Sequence, residues 1–524
     1  MAPVVFLEIF LKEGHLFVGS KGLCGFCLVG EVRGGRGRQH VFFRFGPCGF
    51  EALLIGHTGN RIAPKSLAVI CFEACRKRNR EHKKGTSGRG RGINGQTGSN
   101  SMNKAMKSIG LCLLLLMGAT AGLKGESFRT DINPALRYYQ ALILAPDLSQ
   151  QDRDFLFNKE WRGQKLPEKF GELVTMYNHE FTQVRQAASA TVPCDWGIDT
   201  TPGPATLLPQ LARLKGIAQA ARLRAMWNLQ QGNARDAGAD LQAAFVLARN
   251  SSRDGTLIAA LVQIAMENII YNTVAENFYQ FPPETLKQLV AGFDAAPARA
   301  MVAGCIPTEK AFFHDWLVAK IGQLQKDYRG EETKVMEGIR ELVTGVDGGE
   351  EGQTGPGHLW EQVSGAAGGT SQGVVKLLHE AEAFYTRAAT ILALPRPQYE
   401  EQMRLFGTEI RKSANPLVSQ LFPAWEKCRT KEFTSLVGQE MVRAATEYKL
   451  HGEEGVKKVM DPSGDGPFTF ERFVFGGVER GFKLKSADNG RGVQEALIFV
   501  EKEGPAFQVG GKNAGKPVAP PAAK

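Results

Sequence analysis

From residue 133 to about residue 448, apolar positions recur at intervals of three and four. The residues between them are rich in Ala, Gln, Glu, Lys and Arg, which favour helix, and β-branched runs are few. The spacing is clearest in "TLLPQLARLKGIAQAARLRAMWNL". There Leu207, Leu211, Leu214, Ala218, Ala221, Ala225 and Leu229 fall on one face, and Gln210, Arg213, Gln219 and Arg222 lie off it. In the following "QQGNARDAG", Gly232 supplies a chain reversal, after which Ala237, Leu241, Ala244, Phe245 and Ala248 repeat the pattern. Small residues facing large ones across a short turn predict an antiparallel helix pair.

The next stretch, "TLIAALVQIAMENIIYNTVAENF", is apolar nearly all round and so belongs at the centre of the packing. Its polar members Gln263, Glu267, Asn268 and Asn272 gather on one side, and Glu267 is the only charge between Asp254 and Glu276. A buried lone carboxylate is costly, so Glu267 is expected to line a groove or to take bonds from an arginine such as Arg222 or Arg224. Further helices are predicted in "PPETLKQLVAGFDAAP" and in "PTEKAFFHDWLVAKIGQLQ", where Phe313, Trp316, Leu317 and Ile321 share a face.

Glycine then interrupts the pattern, and helices resume at Val374, broken by prolines at "LALPRPQYEE" and "SANPLVSQLFPAWEK". Near the end the period shortens to two in "PFTFERFVFGG", "GFKLKSA" and "ALIFVEKEG". The predicted fold is mainly α: stacked antiparallel helix pairs forming an irregular helical-repeat array, with a small C-terminal antiparallel β-meander. The expected divisions are a helical domain over 122–345, a Gly-rich flexible loop over 346–373, a helical region continuing the array over 374–460, the meander over 461–503 and a disordered tail over 504–524.

Charge changes the picture of the first fifth. Residues 1–101 hold 16 Lys and Arg, 6 Glu and no Asp, which accounts for the whole net charge of +10; the totals of 64 and 54 leave 48 basic and 48 acidic residues afterwards. Five of the nine cysteines lie there too, with runs such as "SGRGRGING" and no sustained helical or strand period. At Met102 begins "MNKAMKSIGLCLLLLMGATAG": two lysines, an apolar run from Ile109 to Met117, then the small residues Ala119-Thr120-Ala121. This is the layout of a secretory signal peptide over 102–121 with cleavage after Ala121, and the apolar part is short for a membrane span.

Residues 1–101 are therefore expected to be a spurious or disordered basic extension from an early start codon. The other reading is a basic arm on an uncleaved anchor. On the first, the working protein is close to neutral and is periplasmic or secreted, and it meets a membrane only during export. The argument for nucleic acid, which rested on global charge, falls away. Only Cys194, Cys305 and Cys428 remain, enough for at most one disulfide.

The chemistry available is thin. "HEFTQ" at His179 and "HEAEAF" at His379 lack the second histidine of a zinc-protease helix, and no nucleophile elbow, phosphate loop or dinucleotide fingerprint occurs in the helical part. No catalytic residue, metal site or cofactor is predicted. The binding candidates are Asp195 and Trp196 in "PCDWGID", Glu267, and Glu309, the last with His314 and Asp315 nearby on one helix. The bland alternatives are a core-filling Trp196, a turn-capping Asp195 and ordinary helix charges.

The hairpin over residues 215–248 resembles a single tetratricopeptide-type unit, with no second clean copy. The blocks "DINPALRYYQALILAPDL", "PCDWGID", "LLPQLARLKGIAQAARLRA", "RDGTLIAALVQIAMENI" and "DPSGDGPFTFERF" resemble a family of uncharacterised exported bacterial proteins of planctomycete and verrucomicrobial type. The resemblance spans about residues 128–486. It implies a mostly helical periplasmic or surface protein and assigns no catalytic residue. The expected function is an exported helical scaffold or binding protein whose partner is a peptide or protein of the cell envelope. The alternative is a hydrolase-like enzyme with a site near Asp195, Glu267 and Glu309, which requires those three side chains to converge.

Overall fold

Helices dominate the computed structural model, which describes residues 128–158, 160–346, 357–421, 423–487 and 495–518 and the backbone of five strands between residues 6 and 56. The chain divides into two units, 1–124 and 125–524. In the first, strands β1 (Phe6–Lys12), β2 (His15–Lys21), β3 (Leu28–Arg33), β4 (Gln39–Phe45) and β5 (Phe50–Gly56) pair in sequence order, all antiparallel. The sequence reading found no strand period there, because runs such as "QHVFFRF" place apolar residues side by side instead of alternating them. The segment 102–121 read as a signal peptide lies outside the described residues.

The second unit opens with α1 (Pro134–Leu144), capped by the Asn133 side chain, which accepts from the Ala135 N–H, and begun by Pro134 at its first position. After short turns, α2 (Glu168–Thr175) and α3 (Asn178–Ala188) lead to the long pair α4 (Gln210–Gln230) and α5 (Ala234–Ser251). The pair is the predicted hairpin: Gly232, at φ +76°, makes the reversal, and Leu211, Leu214, Ala218, Ala221, Ala225 and Leu229 are buried. Its start is corrected. Leu207 lies before the helix and is 82% exposed, while Gln210, placed off the apolar face by its polarity, is buried.

Helix α6 (Leu257–Glu276) is long and apolar enough to cross a membrane by length and composition alone; here it packs on α4, α5 and the C-terminal sheet. Then follow α7 (Pro283–Ala295), α8 (Val302–Lys310), a π-helical turn over Ala311–Asp315, α9 (Trp316–Asp327) and α10 (Glu332–Val346). The expected Gly-rich loop is corrected in part. Gly357–Ala366 forms a helix, α11, whose Val363, with Ala367 just after it, joins the core shared by α9, α10 and α12 (Ser371–Leu392), and α12 begins three residues before the predicted Val374. Leu359, Trp360 and Val363 supply the apolar face that outweighs the glycines around them. Helices α13 (Arg396–Lys412), α14 (Pro416–Leu421) and α15 (Pro423–His451) complete the array.

The predicted meander is present as β6 (Thr469–Phe475), β7 (Val478–Lys485) and β8 (Ala496–Val500), antiparallel in that order, with Phe482, Leu484, Ile498 and Phe499 buried. The expected disordered tail is ordered as far as residue 518. Phe507 packs at a tilt against Phe473 and Phe475, the Ile498 N–H donates to the Val509 carbonyl at 2.7 Å, and Phe507 and Val509 are buried. Two apolar anchors suffice to dock a segment whose composition reads as disordered.

Three apolar cores result. The first gathers α1 to α7, part of α15 and the sheet. The second lies between α8, α12, α13 and the first half of α15, and the third among α9, α10, α11 and the start of α12.

Candidate functional site

The "PCDWGID" turn is structural. Trp196 is buried, stacks at 5.7 Å on Tyr138 and donates from Nε1 to the Asn250 carbonyl at 2.7 Å. Asp195 is exposed and closes an Asx turn by accepting from the Gly197 N–H at 2.9 Å. Cys194 is buried, and burial pushes its thiol up to about 12, so no thiolate is available there.

Glu267 is fully buried, and it is compensated. Arg249 Nε lies 2.9 Å from Oε1, without the alignment of a hydrogen bond; Arg299 and the Ser435 hydroxyl reach Oε2 at 2.8 and 2.7 Å. The expected partners are otherwise engaged: Arg222 pairs with Glu276 at 3.1 Å and Arg224 with Asp240 at 3.0 Å. This is an internal ion cluster closed off from solvent by packed helices.

Glu309 behaves differently. Pro307 sits inside α8, where it removes an N–H from the helical ladder, and four residues later the helix widens into the π turn Ala311–Asp315. Glu309, Phe312 and Phe313 face a cleft of about 330 Å³, the low end of the size typical of small-ligand sites. Tyr385 from α12 and Trp425 from α15 add aromatic wall, with ring centroids 5.4 Å apart. Gly203, Thr206 and Leu208 also line it, with the cap residue Thr256 and Ile258 in the first turn of α6, and Ile258 is 57% exposed. Gly203 takes φ +62° and rests on the Trp316 indole, where a Cβ would collide.

One Glu309 oxygen, Oε1, accepts from the Leu257 N–H at 2.7 Å at the start of α6, while Thr256 caps the same helix by accepting from Ala259. No described residue donates to the other oxygen, and no described cation lies within ion-pair distance of Glu309. Asp254, adjacent in the same turn, accepts from the Thr256 N–H and hydroxyl through Oδ1 and leaves Oδ2 buried without a partner. Burial raises the Glu309 carboxyl above its ordinary range, against the pull of the Leu257 N–H and with a further push from Asp254. Asp254 is raised by burial as well, against its Thr256 hydrogen bonds.

Glu309 and His314, close in sequence on the predicted helix, do not pair. His314 is buried, with Nδ1 2.7 Å from Asp315 and Nε2 2.9 Å from the Leu378 carbonyl, and it meets Tyr385 edge-on. Lys310 binds Asp315 at 2.8 Å and Glu382 at 3.0 Å, away from Glu309.

Asp195, Glu267 and Glu309 thus have disjoint partners, and the cleft lined by Glu309 contains neither of the others. The structure does not bring the three together. Among the described residues no group of three His, Cys, Asp or Glu side chains is placed to hold a metal ion. The cleft residues that sequence reasoning missed are Phe312, Tyr385 and Trp425. Only the aromatic density of "AFFHDW" hinted at them, because α12 and α15 reach the cleft from 70 and more residues away. Compared with family models, curated proteins and solved structures, the chain matches none, so the family resemblance rests on the quoted sequence blocks alone.

Proposed function

We propose that this protein is an exported, non-enzymatic helical binding protein that uses the cleft between α6, α8, α12 and α15 to hold an apolar segment of a peptide or protein of the cell envelope. The observation that carries the reading is the cleft itself: four aromatic side chains, an exposed aliphatic rim and a single carboxyl group. Aromatic and aliphatic walls with few polar groups suit apolar capture. Of the other described titratable groups near Glu309, His314 is held by Asp315 and the Leu378 carbonyl, Cys305 is a buried thiol raised to about 12, and Asp254 is a second carboxyl with no imidazole or thiolate beside it.

Titration of the full chain with Nile red, a neutral apolar dye, tests the binding reading. Saturable binding of one dye per chain is expected, weakened by Ile258→Asp at the rim and by Phe312→Ala in the wall. Absence of saturable binding, or indifference to both variants, would overturn it. Export rests on the layout of residues 102–121. Mass spectrometry of the protein from its native cells is expected to find an N-terminal peptide starting at Gly122, and a mature chain retaining residues 1–101 would contradict export by this segment.

A further inference from the structure

We infer that the cleft selects an alkylammonium group, a cation on an apolar stem, with the free oxygen of Glu309 as its counter-ion and the rings of Phe313, Tyr385 and Trp425 as its walls. The inference rests on the binding reading above and specifies the chemistry of the occupant. A carboxylate at the end of an aromatic cleft is half of a charge pair, and the π-faces beside it attract cations but gain nothing from anions.

Among the described residues no cation lies within ion-pair distance of Glu309. The titratable groups that face Glu309 from the surrounding elements are Asp254 before α6, Cys305 on α8, Tyr385 on α12 and Cys428 on α15, and each is neutral or negative. Lys310, next in sequence, is turned to Asp315 and Glu382. The start of α6 adds a local positive influence, and its Leu257 N–H occupies only Oε1. An ammonium at Oε2 would offset the cost of burying the carboxylate and compensate the Asp254 charge behind it. The apolar rim, Ile258 and Leu208, then covers the stem.

The simpler role for Glu309 is that of a cap on α6, and Glu309→Gln separates the two, since a glutamine oxygen still accepts from Leu257 but carries no charge. Calorimetric titration of the full chain with hexyltrimethylammonium and with the neutral n-hexanol gives the readout. The expected result is a preference of roughly tenfold or more for the cation. Glu309→Gln is expected to abolish that preference while leaving hexanol affinity unchanged and the unfolding midpoint at neutral pH no lower, since removing a burial-raised carboxyl costs no stability there. Affinity for the cation should also fall as the pH is lowered and Glu309 takes up a proton, while hexanol affinity stays constant. Equal affinity for the two probes, or an unaltered preference in Glu309→Gln, would overturn cation selection and leave apolar binding standing. Failure of both probes to bind would remove the binding reading as well.

Discussion

Glu267 and Glu180 are both buried carboxylates, and their surroundings give them opposite effects on stability. Glu267 holds Arg249 and Arg299 together, so Glu267→Ala would leave two guanidinium groups buried and uncompensated. A loss of about 3–5 kcal/mol in urea unfolding is expected. Removing the exposed Glu401, paired with Arg404 on one helix, should leave the midpoint unmoved. Glu180 on α3 has a buried oxygen without a partner, and burial raises its carboxyl to about 7 against the attraction of Arg224. Between pH ~4.5 and ~7 the unfolded chain releases this proton while the folded chain keeps it, so stability falls as pH rises through that window. Glu180→Gln is therefore expected to stabilise the protein by about 2 kcal/mol at pH 7.5 and to flatten the pH profile between those limits, read from unfolding at several pH values. That Glu267 needed compensation was legible from its isolation in an apolar helix. Its partners were not, because Arg299 comes from the loop after α7, and Arg222 and Arg224 had carboxylates of their own in Glu276 and Asp240.

The helices show which local signals survive tertiary packing. The α4–α5 hairpin was readable because a 3.6-residue period, a glycine reversal and a large-against-small pattern all agree. Helix α11 was not, since its glycine-rich surroundings favour a loop and its apolar face has value only once α9 and α10 are present. The docked segment around Phe507 was missed for the same reason. Glycines divide by what surrounds them. Gly171 on α2 lies flat against the Trp227 indole, so Gly171→Ala should force the helices apart and cost about 1–3 kcal/mol. Gly216 within α4 has open space where a methyl would go, and Gly216→Ala should instead add about 0.4–1 kcal/mol. Thermal melts of the two variants are expected to shift in opposite directions.

Across the whole molecule, helix α15 is the common member. Its first half contributes Trp425, Cys428 and Phe433 to the second core, and its second half contributes Val437, Met441 and Ala445 to the first. The architecture of helix array and closing sheet followed from period and composition. The cleft did not, because it forms where four elements distant in sequence meet, and no short motif encodes such a meeting. The continuous α15 should make the first two cores unfold as one unit, with coincident circular-dichroism and tryptophan-fluorescence transitions expected in urea. Two of the three free cysteines among the described residues turn that coupling into something that can be timed. Cys194 is sealed in the first core and Cys428 in the second, so each thiol is a clock that starts only when its own compartment opens. Exposed to an alkylating reagent without denaturant, the native chain should accumulate adducts at both positions at a single rate, and two different rates would mean that the cores breathe separately.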